Sequence, residues 1–125
     1  MKLARMLVLV AFTLAIASGV SAQKAVSVEG TLVDSACYLK GGATGNDHGT
    51  MKDCGKACLK GGTPGGVLTK DKKFHALIVP SGALADYVGQ TVRVSGKETN
   101  GSILAEKVEV SRNGKWELVK LDAMM

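Results

Sequence analysis

Three cysteines and a histidine fall in one stretch of this 125-residue chain, as Cys37, His48, Cys54 and Cys58, with the spacing C-x10-H-x5-C-x3-C. Thiolate sulfur and imidazole nitrogen together make a donor set for Zn²⁺, and Cu(I) also accepts soft sulfur ligands. The segment that carries the last two cysteines, TMKDCGKACLKGG, predicts a short helix over residues 51 to 60. Thr50 is its expected N-cap, Asp53 lies in the first turn, Gly61 is the stop and Gly55 is the weak point. On that helix Cys54 and Cys58 stand at i and i+4. Two thiolates on one tetrahedral Zn²⁺ are about 4 Å apart, which side chains at that spacing can reach. Cys37, expected at the end of the first strand, and His48, just ahead of the helix, would close a Cys3His set. Lys52 and Lys56 would favour thiolate over thiol. Asp34 is a natural acceptor for the histidine ring N–H or a competing oxygen ligand, and in the bland reading it caps a turn. Tyr38 would cover the cluster by packing.

A disulfide is the competing chemistry. Three cysteines allow one internal bridge and leave one thiol over, which suits a structural framework poorly. Cβ atoms at i and i+4 of a helix are about 5 to 6 Å apart, and a disulfide needs about 3.5 to 4.5 Å. A bridge would therefore run from Cys37 to one of the helical pair. C-G-K-A-C is not C-x-x-C, which weakens a thioredoxin-like redox reading, and no C-x-x-C-H points to covalent haem.

The compartment decides how cysteines are read. Lys2 and Arg5, the apolar run MLVLVAFTLAIA and the small residues of Val20-Ser21-Ala22 read as a secretory signal peptide over residues 1–22. A single domain over residues 23–125 is expected to follow, periplasmic or secreted, with no second run of membrane-spanning length. Without the leader, fourteen basic residues face eleven acidic ones, a formal charge of +3. That is too mild to argue by itself for nucleic acid or an anionic membrane.

The elements that must position the cluster are mainly strands. AVSVEGTLVDS alternates as a half-buried strand, and Gly30 within it marks a bulge or sharp coiling. Residues 40 to 49 read as a loop. GVLT and FHALIV are two strands around the charged tip KDKK, and SGALADYVG is a short helix with Leu84, Tyr87 and Val88 on one face. TVRVSGKE turns back at Asn100-Gly101 into SILAEKVEV, and Asn113-Gly114 makes a second hairpin into a short final strand. This order predicts a mainly β fold: a small five- to six-stranded OB-fold-like barrel, with a Cys-bearing loop and helix inserted at residues 37–64 and a short helix between strands three and four.

YVGQTVRVSGKETNGSILAEKVEV is similar to the second half of small secreted bacterial OB-fold proteins. Asp34, Cys37, Tyr38, His48, Cys54, Cys58, Gly62 and Pro64 resemble a group of such proteins with a D-x-x-C-Y, His, C-x-x-x-C cluster. The resemblance implies that the four Cys/His positions belong together; it carries no activity with it.

Two function classes follow. In the first, the chain is a non-catalytic metal-binding domain, with Zn²⁺ ahead of copper. In the second it is an extracytoplasmic OB binding module for protein or glycan, held by one disulfide. Nucleic acid ranks low, because Tyr38, Phe74, Tyr87 and Trp116 are too few stacking platforms, Phe74 and Tyr87 look like core, and Arg93 and Lys97 have no aromatic neighbour in register. His75 reads as a strand residue in solvent or in a satisfied polar contact. No nucleophile with a base and no paired carboxylates suggest an enzyme. A leftover thiol or an unpaired barrel edge could make a dimer.

Overall fold

The computed structural model describes residues 23–121, so the signal peptide expected over residues 1–22 lies outside the described residues. The first strand, β1 (Lys24–Asp34), is long because it serves two partners. Its first part, Lys24 to Thr31, pairs antiparallel with β4 (Thr91–Thr99), and Thr31 to Asp34 pairs with β2 (Gly65–Leu68). Gly30 sits just before the change of partner. A Cβ there would run into the Leu68 main-chain carbonyl and lie 2.8 Å from Val67 Cγ1, so only glycine lets the β2 backbone come this close. Sharp coiling, and not a bulge, is therefore what Gly30 provides; the register shift of the sheet falls at Ser95/Gly96 in β4.

β2 pairs with β3 (Phe74–Ile78), β4 with β5 (Ser102–Arg112), and β3 closes on β5 in parallel through Leu77–Ile103 and Ile78–Leu104. The circuit β1-β2-β3-β5-β4 is a closed five-stranded barrel of the OB type, and β6 (Lys115–Leu118) adds an outer strand beside β5. Asn100-Gly101 and Asn113-Gly114 all take positive φ, the conformation that tight hairpin turns demand. Leu32, Val67, Leu77, Val92, Val94, Ile103, Val108 and Val110 fill the interior at 2% exposure or less.

Two elements plug the barrel. A 3₁₀ helix, Ser81–Tyr87, between β3 and β4 contributes the buried Leu84 and Ala85. The second plug comes from the segment between β1 and β2, which folds differently from the sequence expectation. Residues 35–41 form a helix, α1 (Ser35–Gly41), where a strand end and a loop were expected. Asp34 is its N-cap, accepting from the Ala36 N–H at 3.0 Å, and Gly42 closes it with φ 74. The second helix, α2 (Cys54–Lys60), begins three residues later than expected, and its cap is Asp53 rather than Thr50. Leu59 on α2 is fully buried in the same core cluster as Leu32 and Leu84.

Candidate metal centre

α2 is too short to hold itself, and its starting turn is built by a remote residue. Asp53 has left-handed φ (55°) and makes no side-chain cap. Asn46 replaces it: its main-chain carbonyl accepts from Gly55 N–H at 2.9 Å and its Oδ1 accepts from Lys56 N–H at 2.9 Å. Asn46 Nδ2 also donates to Asp53 Oδ1, and Asp47 Oδ1 accepts from Asp53 N–H, both at 2.8 Å. The loop that carries His48 is thereby fastened to the start of the helix that carries Cys54 and Cys58. Gly55 is not the weak point of that helix but a close contact, because a Cβ there would lie 2.7 Å from Val88 Cγ1. At the far end, Ser81 Oγ donates to the Leu59 carbonyl at 2.9 Å. Ser35 Oγ donates to the Pro64 carbonyl at 2.5 Å, clasping the two ends of the insertion together.

Within this frame Cys37 is the third residue of α1, not the last of a strand. Its sulfur, that of Cys54 and a ring nitrogen of His48 all lie within 4.8 Å of one another. His48 is held by a small bridge with Met51, in which His48 N–H meets the Met51 carbonyl at 2.9 Å and Met51 N–H meets the His48 carbonyl at 3.0 Å. Its Nε2 lies 3.0 Å from the Gly45 carbonyl. A carbonyl only accepts, so Nε2 carries the proton and Nδ1 carries the lone pair. That Nδ1 is buried and has no hydrogen-bond partner. The acceptor that orients the ring is thus Gly45, and not Asp34 as the sequence suggested.

Asp34 takes part from the other side. It is 1% exposed; Oδ1 caps α1, while Oδ2 is buried without a conventional partner. A carboxylate oxygen of Asp34 and the sulfurs of Cys37 and Cys58 form a second group within 4.8 Å. A thiol is a weak donor, so these neighbours do not replace an ordinary hydrogen bond to the carboxylate. Contact with Asp34, then burial, pushes the Cys58 thiol up to about 12, and the same two causes raise Cys37. Lys56, one of the two lysines expected to favour thiolate, is instead engaged with Asp86 at 2.6 Å. Thiols held protonated in this way are poor nucleophiles, and a cation binds them by displacing their protons.

The three cysteines are free thiols and half-buried. The four residues expected to form one set divide between two overlapping sets that share the Cys37 sulfur, with Asp34 as the fifth member. Tyr38 follows Cys37 on α1, and its ring stacks on Phe74 of β3 with centroids 5.3 Å apart. Phe74, expected in the core, is half-buried in that stack.

Elsewhere, His75 Nδ1 lies 3.1 Å from the Gly101 carbonyl, the satisfied contact foreseen for it. Arg93 does have an aromatic neighbour: its guanidinium stands 4.1 Å from the centre of the Trp116 ring and pairs with Glu29 at 2.9 Å. A groove of about 770 Å³ beside Gly30, Thr31 and the β2–β3 turn is lined by none of the cluster residues. Among the described residues no helix is long and apolar enough to cross a membrane. No protein-family model, curated protein or solved structure matches this chain.

Proposed function

We propose that the chain is an exported metal-binding domain, in which Cys37, His48, Cys54 and Cys58 hold a transition metal on an OB-like barrel. The observation that carries this reading is His48, whose buried Nδ1 has no hydrogen-bond partner and one of whose ring nitrogens lies within 4.8 Å of two cysteine sulfurs. Burying a polar atom without a partner is costly, and a metal ion is the partner that two thiolates and an imidazole select. The Gly45 carbonyl supplies the outer hydrogen bond by which metal-bound histidines are oriented. Cys58, one turn further along α2, lies in the adjoining group with Asp34 and Cys37 and would complete a tetrahedral set by swinging toward the metal.

Donor softness favours Zn²⁺ or Cu(I) over Mg²⁺ or Ca²⁺. A site closed by four protein donors would leave no position for substrate water, so its role would be to fix the insertion, or to sense or carry the metal, and not to catalyse. The leader-like first residues and the resemblance to small secreted bacterial proteins support action outside the cytoplasm.

The test is to isolate the protein from the periplasm or medium under mild conditions, then measure bound metal by elemental analysis and free thiols by alkylation. Bound metal with all three thiols shielded until a chelator is added is the expected result. A metal-free protein lighter by two hydrogens, with one reactive thiol, would replace this reading with the disulfide-linked binding module.

A further inference from the structure

We propose that the cluster is binuclear: Asp34, Cys37 and Cys58 form a second cation site that shares the Cys37 sulfur with the Cys37, His48, Cys54 site. This rests on the metal-binding reading above and deepens it.

Geometry is the first support. The candidate ligand atoms do not gather around one point; they form two triads, each within 4.8 Å, and Cys37 Sγ is the only atom common to both. A thiolate sulfur has lone pairs enough to bridge two metals.

The second support is an independent orphan. Asp34 is 1% exposed and its Oδ2 has no hydrogen-bond partner, just as His48 Nδ1 has none in the other triad. Each triad therefore includes a residue with one buried polar atom that lacks a partner. A cation in the first triad satisfies the histidine and leaves the carboxylate as it was.

Charge gives the third support. With both sites filled, three thiolates and one carboxylate carry four negative charges, which two divalent ions neutralise. One divalent ion in the first triad, with Cys58 still a thiol, would leave one uncompensated negative charge beside the buried Asp34, where isolated charge is strongly disfavoured. Lys56, the basic residue between the two cysteines of α2, is already paired with Asp86 and does not compensate this charge. The balance also selects divalent ions, since two Cu(I) against the same four charges would leave two of them uncompensated. Zn²⁺ fits the mixed sulfur, nitrogen and oxygen donors.

The experiment uses the full chain, stripped of metal under reducing conditions and titrated with Zn²⁺, with metal per chain read by elemental analysis after desalting. Two Zn²⁺ per chain are expected. Asp34→Asn keeps a good helix N-cap and should hold one, as should Cys58→Ser; Cys37→Ser, which removes the bridge, should lose both. Co²⁺ in place of Zn²⁺ gives a second readout, because two Co²⁺ sharing a thiolate couple magnetically and give less electron-paramagnetic-resonance signal than two isolated ions. One Zn²⁺ per chain, unchanged in Asp34→Asn, overturns the second site and leaves the mononuclear Cys3His reading standing. No bound Zn²⁺ in the folded chain overturns both. Circular dichroism of the barrel strands identifies any variant that has failed to fold, and the other variant then decides.

Discussion

The barrel and the insertion at residues 35–64 are held together by different physics. The barrel closes a ladder of main-chain hydrogen bonds around valine, leucine and isoleucine side chains, many at 0% exposure. Each such side chain contributes about 1.5–3 kcal/mol when removed from water. The insertion anchors only Leu59 in that core. Besides the Tyr38–Phe74 stack and the Gly55–Val88 contact, its fastenings are polar: the Asp34 cap, the Asn46 clamp, the Ser35–Pro64 clasp and the cysteine cluster. A hydrogen bond contributes a net 0.5–1.5 kcal/mol or so, which leaves the insertion dependent on whatever the cluster binds. The barrel is held mainly by its own apolar core, and the insertion mainly by polar contacts and the cluster.

The largest effect that would test this contrast is metal removal, since structural Zn²⁺ sites carry apparent binding free energies on the order of 10 kcal/mol. Chelation, or Cys37→Ser, should abolish hydrogen-exchange protection in α1 and α2 while β4 and β5 amides stay slow. Equal loss in both regions would mean that they unfold as one unit. Next is Leu59→Ala, which should cost about 2–5 kcal/mol in denaturant unfolding of the metal-loaded protein and much less after chelation, because α2 carries that side chain into the barrel core.

Gly55→Ala sharpens the boundary further. On an isolated helix the change would stabilise by roughly 0.5–1 kcal/mol. Here the new Cβ would lie 2.7 Å from Val88 Cγ1, and the expected outcome is a loss of about 1–3 kcal/mol. Asn46→Ala removes the remote cap of α2 and should cost about 1 kcal/mol, with weaker metal binding as its specific signature in a titration.

The smallest effect concerns the Lys56–Asp86 pair, which joins α2 to the 3₁₀ helix at the surface. Lys56 holds the Asp86 carboxyl below its usual range and is itself raised above the usual lysine range. The pair's contribution is therefore present above the ordinary carboxylate pKa of about 4 and fades as pH falls through the lowered Asp86 value. At the alkaline end it is complete below about pH 10.4 and fades as pH rises through the raised Lys56 value. Asp86→Asn should lower Tm slightly at neutral pH, and this deficit should vanish in acid and shrink in high salt.

Much of the barrel was legible in the sequence. Val92 and Val94 alternate with polar neighbours, Asn100-Gly101 and Asn113-Gly114 can take positive φ, and the charged KDKK separates two apolar runs. Each is a local signal with a local cause. α1 was missed because Asp34 ends a strand pattern, and its seven residues are too few to show a helical period. The available signal was Asp34 at the cap with Gly41-Gly42 at the stop. The late start of α2 was hidden for a different reason: its cap is Asn46, seven residues before the nominal capping position Asp53.

The sequence alone determined the donor types, their confinement to one stretch, and the alternation that makes strands, because residue chemistry and short-range periodicity need no partner to be read. Only the tertiary structure decided which donors meet. Placing Cys37 on a helix turned its sulfur toward both Cys54 and Cys58, and the Gly45 carbonyl, rather than Asp34, accepts the histidine ring N–H. Asp34 was left with one oxygen on the helix cap and the other buried without a partner, in a carboxylate grouped with the Cys37 and Cys58 sulfurs. Those outcomes depend on side-chain direction across three separate segments, and spacing along the chain does not specify direction in space.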